Sequence, residues 1–237
     1  MNNSCAVSFI KKDINIKILL LFIVLASISG GSIIFSMLKF DGAFRIDNIY
    51  AMYAFLSRLL VMFFPVIIWG NEFISGTINL IRISNRNLLS VYMYKFFTYL
   101  LAIMILMAVS FLEVSCYGVI TDENVGGIGL LKDLTVSYFL YGVFYFGLSC
   151  VVTFWLKDTT KSLVAVFLIY FCGGLACDMI GQIGDGVRNI IKFIPFSYAE
   201  DAFSFANFTA GQMLNIGIFA LILNVMAVFL LKKKGVV

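Results

Sequence analysis

The chain has 237 residues, 62% hydrophobic and 13% charged, with mean hydropathy +1.01 and net charge +4. A soluble domain is about half apolar and about a quarter charged, so this composition excludes an ordinary soluble enzyme or binding module and indicates an integral membrane protein. The chain contains no histidine, which removes the commonest general base and metal ligand.

Taken from the N-terminus, residues 4–15 mix Val7, Phe9, Ile10 and Ile14 with Ser8, Lys11, Lys12 and Asp13. That pattern predicts an interfacial helix on the cytoplasmic leaflet; a frayed basic terminus is the plain alternative. Six apolar runs follow, at about 17–38, 50–70, 91–118, 134–156, 162–180 and 213–231. Each is near the roughly 20 residues a crossing helix requires. The first run starts after a polar segment and lacks a small-x-small cleavage site, so it reads as a true span rather than a signal peptide. With the spans taken out, no segment is long enough for a soluble domain, and residues 1–237 read as a single transmembrane domain.

Basic residues in short loops set orientation. Lys11, Lys12, Lys17, Arg82, Arg86, Lys95, Lys157, Lys161 and Lys232 to Lys234 fall on one side, and Lys39, Arg45, Lys132, Arg188 and Lys192 on the other. Asp122, Glu123, Asp133, Asp178, Asp185, Glu200 and Asp201 lie on the basic-poor side. Both termini are therefore expected in the cytoplasm. The net charge follows from this sidedness. Only Lys232 to Lys234 cluster, so no nucleic-acid partner is expected.

Between the second and third runs lies a polar island, from Asn71 to Lys95. Ile74, Ile78 and Ile81 recur at helical spacing, with Ser75, Asn79 and Arg82 opposite. This predicts an amphipathic helix that docks on a cytoplasmic partner. The connections Lys39 to Asn48, Thr121 to Asp133 and Lys157 to Lys161 are too short for a catalytic domain. The segment Asp178 to Gln212 is too long for a turn and too polar for a span. Ile183, Val187, Ile190, Ile191 and Ile194 follow helical spacing until Pro195 breaks it, and Phe203, Phe205 and Phe208 come next. One or two short external re-entrant helices are expected, with Ile183, Val187, Ile190 and Ile194 inward and Asp185, Arg188 and Lys192 outward.

Two ionisable groups sit inside spans: Arg58 in the second and Glu113 in the third. At a rise of about 1.5 Å per residue they share a depth, and an intramembrane charge usually finds a partner. They are expected either to pair and lock two helices or to form a gate. Tyr138, Tyr141 and Tyr145 share one face of the fourth span; they could line a path for an amphipathic cargo, or pack as an aromatic stripe. Gly30, Gly31, Gly173, Gly174 and Ala176 read as close-packing positions. Cys5, Cys116, Cys150, Cys172 and Cys177 read as small hydrophobes, and no metal site is expected. There is no G-x-x-x-x-G-K-[ST], no H-E-x-x-H and no G-x-S-x-G. The chain therefore lacks the Walker A phosphate cradle and these catalytic signatures, and no enzyme activity is expected.

Glu72-x3-Gly76-Thr77-x4-Arg82, followed by Asn85-Arg86, resembles the E-x-x-x-G-T element and polar-Arg turn of the ABC-2 type permeases. That family often has proline before the turn, where Ile83 and Ser84 stand here. Six spans, an N-terminal interfacial helix and re-entrant helices before the sixth span fit the same frame. The resemblance implies an all-α membrane fold whose polar island is a coupling helix, with Glu72, Gly76, Thr77, Arg82, Asn85 and Arg86 seated against a separate cytoplasmic ATPase. It implies two permeases, identical or not, and two ATPases, with ATP and Mg held by the ATPases and no cofactor on this chain. The length is similar to lantibiotic and antimicrobial-peptide immunity and export permeases. The implied function is ATP-driven export of an amphipathic or peptide-like cargo, such as an antimicrobial peptide, drug or lipid, from a bacterial plasma membrane. A non-transporting scaffold or sensor subunit is the rival reading. A secondary transporter is disfavoured, because no internal repeat or broken mid-membrane helix is evident.

Overall fold

A computed structural model of the protein describes residues 16–40, 44–78, 88–122, 125 and 127–233. Six helices are long and apolar enough to cross a membrane: α1 (Ile16–Lys39), α2 (Asp47–Ile74), α3 (Leu88–Thr121), α4 (Ile128–Leu156), α5 (Thr159–Gly181) and, after a short-helix segment, α8 (Ala210–Lys233). That segment holds α6 (Asp185–Ile191), a 3-10 turn (Pro195–Ser197) and α7 (Ala199–Ser204). Among the described residues every regular element is helical. The expected interfacial helix of residues 4–15 lies outside the described residues.

The reversal between α4 and α5 is short because both helix ends carry a local stop. After α4, Lys157 turns left-handed at φ 54° and Asp158 caps α5, its carboxylate accepting from the Lys161 N–H at 2.9 Å. An aspartate at this position satisfies an otherwise orphaned helix-start donor. The second and fourth spans form the centre. The most apolar stretch of α2 is 61% buried, whereas that of α5 is 11%. Leu168, Phe171 and Leu175 of α5, and Leu221, Val225 and Phe229 of α8, face away from the protein, as suits contact with acyl chains.

Small residues set the close approaches. A Cβ at Gly142 of α4 would sit 2.5 Å from Ile103 of α3, and one at Gly147 would sit 2.7 Å from Asn224 of α8. Gly173 faces Phe196, and Gly30 faces the Glu113 carboxylate, so both act as the close-packing positions expected. Polar side chains bridge the same contacts. Tyr92 of α3 donates to Asn224 at 2.7 Å, and Asn224 donates to the Val143 carbonyl of α4 at 3.1 Å. Cys116, Cys150, Cys172 and Cys177 are free thiols.

Pro65 lies inside α2 and has no N–H to offer the Val61 carbonyl. The Tyr99 hydroxyl of α3 lies 2.9 Å from that carbonyl and 3.0 Å from the carbonyl of Gly142. Ser149 of α4 donates to the adjacent Met62 carbonyl at 2.8 Å. In a membrane, a proline is accommodated by neighbours that re-satisfy the freed backbone, and here Tyr99 of α3 does so.

The segment before α8 departs from the expected inward face. Ile183 is 75% exposed and Ile190 69%, while Ile191 is buried with its Cδ1 3.9 Å from a Cβ built at Gly181. Ile183 precedes the helix, and it is Ile191 with the stem of Arg188 that packs on α5 at Gly181. Asp185, Arg188 and Lys192 are exposed, as expected.

Candidate functional site

At the cytoplasmic end expected from sequence, α2 stops at Ile74 because Ser75 and Gly76 close its last turn. Gly76 adopts φ +65°, which glycine reaches without strain, and its N–H bonds the Phe73 carbonyl at 3.3 Å. The Ser75 and Thr77 hydroxyls bond to each other. The glycine of the E-x-x-x-G-T element is thus a helix stop of the kind common at C-termini. It also places Ile74 (74% exposed) and Ile78 (4%) in different environments. Ile74 and Ile78 therefore do not share one helical face, because a left-handed residue stands between them; Ile81 lies outside the described residues. Arg82, Asn85 and Arg86 lie outside the described residues.

Glu72 is not on a polar surface. It is 3% exposed, and its Oε1 accepts from Lys95 Nζ of α3 at 3.2 Å. Lys95, 2% exposed, also reaches the Ile68 carbonyl at 3.5 Å and lies 5.2 Å above the Trp69 ring. Trp69 in turn meets Phe154 edge-on at 4.8 Å and stacks against Tyr92. The expected surface contact of Glu72 is thereby corrected to an internal one. Its helical phase carries it toward α3, where Lys95 offsets the cost of burying a carboxylate. The pair fixes the helix ends between which the polar island emerges.

The second expected pairing is corrected as well. Arg58 does not meet Glu113; its guanidinium forms an ion pair with Glu200 of α7. Glu200 also accepts from the Tyr170 hydroxyl of α5 at 2.9 Å. The guanidinium lies 4.5 Å over the Phe55 ring and 5.4 Å over that of Tyr170. The shared depth expected for Arg58 and Glu113 gives way to separate neighbourhoods: Glu113 lies toward the start of α2, where Gly30 faces both its carboxylate and the Ile49 carbonyl. Glu113 instead packs on Gly30 of α1, where both of its oxygens are buried without a formed hydrogen bond.

The tyrosine stripe meets the same short helix. Tyr138, Tyr141 and Tyr145 are 1%, 0% and 3% exposed, so they border no open channel within this chain. Phe203 of α7 stacks on Tyr141 with ring centroids 4.2 Å apart and meets Tyr138 at 4.8 Å. Tyr138 also shares a hydrogen bond with Ser57 at 3.1 Å, and Tyr145 lies 6.3 Å from Tyr170. One end of α7 is therefore held by Glu200 on Arg58 and Tyr170, and the other by Phe203 on the stripe. Just before α7, Tyr198 points to the Gln212 carbonyl and the Asn215 amide oxygen of α8, at 3.3 and 3.2 Å. Burial pushes its phenol up to about 12, so it remains a donor.

Glu200 and Phe203 were the functional candidates that sequence reading missed. Glu200 read as an external acid. The available signal was that Glu200 and Phe203, one helical turn apart, put an acid and the helix's large aromatic residue on one face of a six-residue helix between Pro195 and α8. A scan against protein-family models found no match, and a search of characterised proteins by sequence found none either.

Proposed function

We propose that the chain is the membrane permease subunit of an ATP-binding-cassette exporter of the ABC-2 type, resident in the bacterial plasma membrane with both termini in the cytoplasm. It works with a second permease, identical or not, and with cytoplasmic ATPases that hold ATP and Mg. The observation that carries the reading is the seating of α7: a six-residue helix whose polar and aromatic contacts run through two side chains, Glu200 on Arg58 and Tyr170, and Phe203 on Tyr138 and Tyr141, among six membrane-length helices. Such an element has few contacts to break, as a two-state plug requires. At the other end of the bundle, the Glu72–Lys95 pair and the Gly76 stop brace a polar island containing Arg82 and Arg86. A displacement of that island by an ATPase is passed to the two helices that flank it. Closure of the ATPases then biases α2 and α3, Arg58 shifts with α2, and the α7 plug is released for an amphipathic or peptide-like cargo.

The test is co-expression of the chain with each ATP-binding subunit of its source genome that lacks spans of its own. One subunit is expected to co-purify and to hydrolyse ATP faster in proteoliposomes containing the chain. Reversing Arg82 and Arg86 together is expected to abolish both effects without lowering the yield of folded chain. Absence of any co-purifying ATPase would overturn the reading in favour of a scaffold or sensor.

A further inference from the structure

At the end of the bundle where α2, α4 and α8 begin, the structure has an open cavity of about 490 Å³. Two carboxylates stand at it: Asp47 in the first turn of α2 and Asp133 in the second turn of α4. Both are exposed, and among the described residues neither is ion-paired. Tyr50 lines the same cavity, its hydroxyl donating to Asp47 Oδ1 at 3.0 Å. Leu130, Phe208 and Met213 supply apolar wall. One turn below Asp133, Ser137 lines the same cavity; it is 1% exposed, and its hydroxyl has no hydrogen-bond partner.

Each feature constrains the occupant. Two unpaired carboxylates select a positive charge. A bare hard divalent cation needs six or more oxygen ligands, and these walls are partly hydrocarbon. The volume is that of a small-molecule site rather than an ion site. A buried hydroxyl without a partner favours an occupant that brings a hydrogen-bond donor or acceptor to it. We propose that this cavity binds an organic cation, an ammonium or guanidinium group on an apolar stem. The charged group sits between Asp47 and Asp133 and donates to Ser137 Oγ, while the stem lies against Leu130, Phe208 and Met213. The site requires neither an ATPase nor movement of α7, so it stands or falls separately from the exporter reading.

The test is calorimetric titration of the full chain in detergent at fixed ionic strength. The probes are 2-phenylethylammonium, 2-phenylethanol and phenylacetate, which share one stem and differ in charge, together with calcium chloride. The ammonium is expected to bind at least tenfold more tightly than the alcohol, with no heat from phenylacetate. Asp47→Asn with Asp133→Asn is expected to weaken the ammonium at least tenfold. Asp133→Asn alone, which removes no protein hydrogen bond, is expected to weaken it severalfold and covers the case in which the double variant fails to fold. Equal binding of ammonium and alcohol, preference for calcium, or unchanged affinity in folded Asp133→Asn would each overturn the proposal.

Discussion

Arg58 of α2 and Glu200 of α7, 142 residues apart in the chain, form an ion pair that fastens a six-residue helix to the centre of the bundle. The arginine side chain is 10% exposed and that of the glutamate 44%, so the pair is neither a solvated surface contact nor a fully buried one. Exposed pairs contribute about 0–1 kcal/mol, and orphaning a buried partner costs about 3–5 kcal/mol. A double-mutant cycle of Arg58→Gln with Glu200→Gln, read by unfolding in detergent, is expected to give a coupling of about 1–2 kcal/mol, between those bounds. The same cycle of Arg58→Gln with Glu113→Gln is expected near zero. A larger coupling to Glu113 than to Glu200 would contradict the observed pairing.

Glu72 and Lys95 are both almost fully buried, so their loss is expected to be asymmetric. Lys95→Met leaves a carboxylate in apolar surroundings and is expected to destabilise the protein by about 3–5 kcal/mol. Adding Glu72→Gln is expected to recover more than half of that. Because the pair is internal, reversing Glu72 is expected to lower the yield of folded chain, in contrast to reversals at Arg82 and Arg86. A folded, fully stable Glu72→Lys variant would show that the glutamate faces outward.

Tyr99 and Pro65 are expected to be coupled through a carbonyl that belongs to neither. With proline in place, Tyr99→Phe removes the hydroxyl that Val61 relies on and is expected to cost about 1–3 kcal/mol, the penalty of an unsatisfied buried acceptor. With Pro65→Ala, residue 65 regains an N–H directed at the Val61 carbonyl, and the cost of Tyr99→Phe is expected to fall by at least half. Equal costs in the two backgrounds, measured by thermal unfolding at one detergent concentration, would show that the hydroxyl serves mainly Gly142.

Number, order and length of the spans were legible in the sequence because a crossing helix must present about 20 apolar residues whatever it packs against. Each of the six runs reappears as a helix that starts one to six residues earlier, and all but the fourth also end later, since polar flanks such as Asp47 and Lys232 extend the helix beyond the apolar stretch. The break at Pro195 was equally local, and so was the existence of short helices before α8. Pairing was not legible. Arg58, Glu72 and Glu113 were all recognisable as charges that require an account, but their partners depend on the rotation of each helix about its axis and on which helix lies beside it. Residue counting put Arg58 and Glu113 at one depth, and only the tertiary arrangement turned the arginine to Glu200 and set Glu113 against Gly30. Glu72 followed a polar motif in sequence, and only the proximity of Lys95 made it internal. Hydrophobic period fixes a helix and its approximate face; the choice among neighbours is made by contacts between segments far apart in the chain.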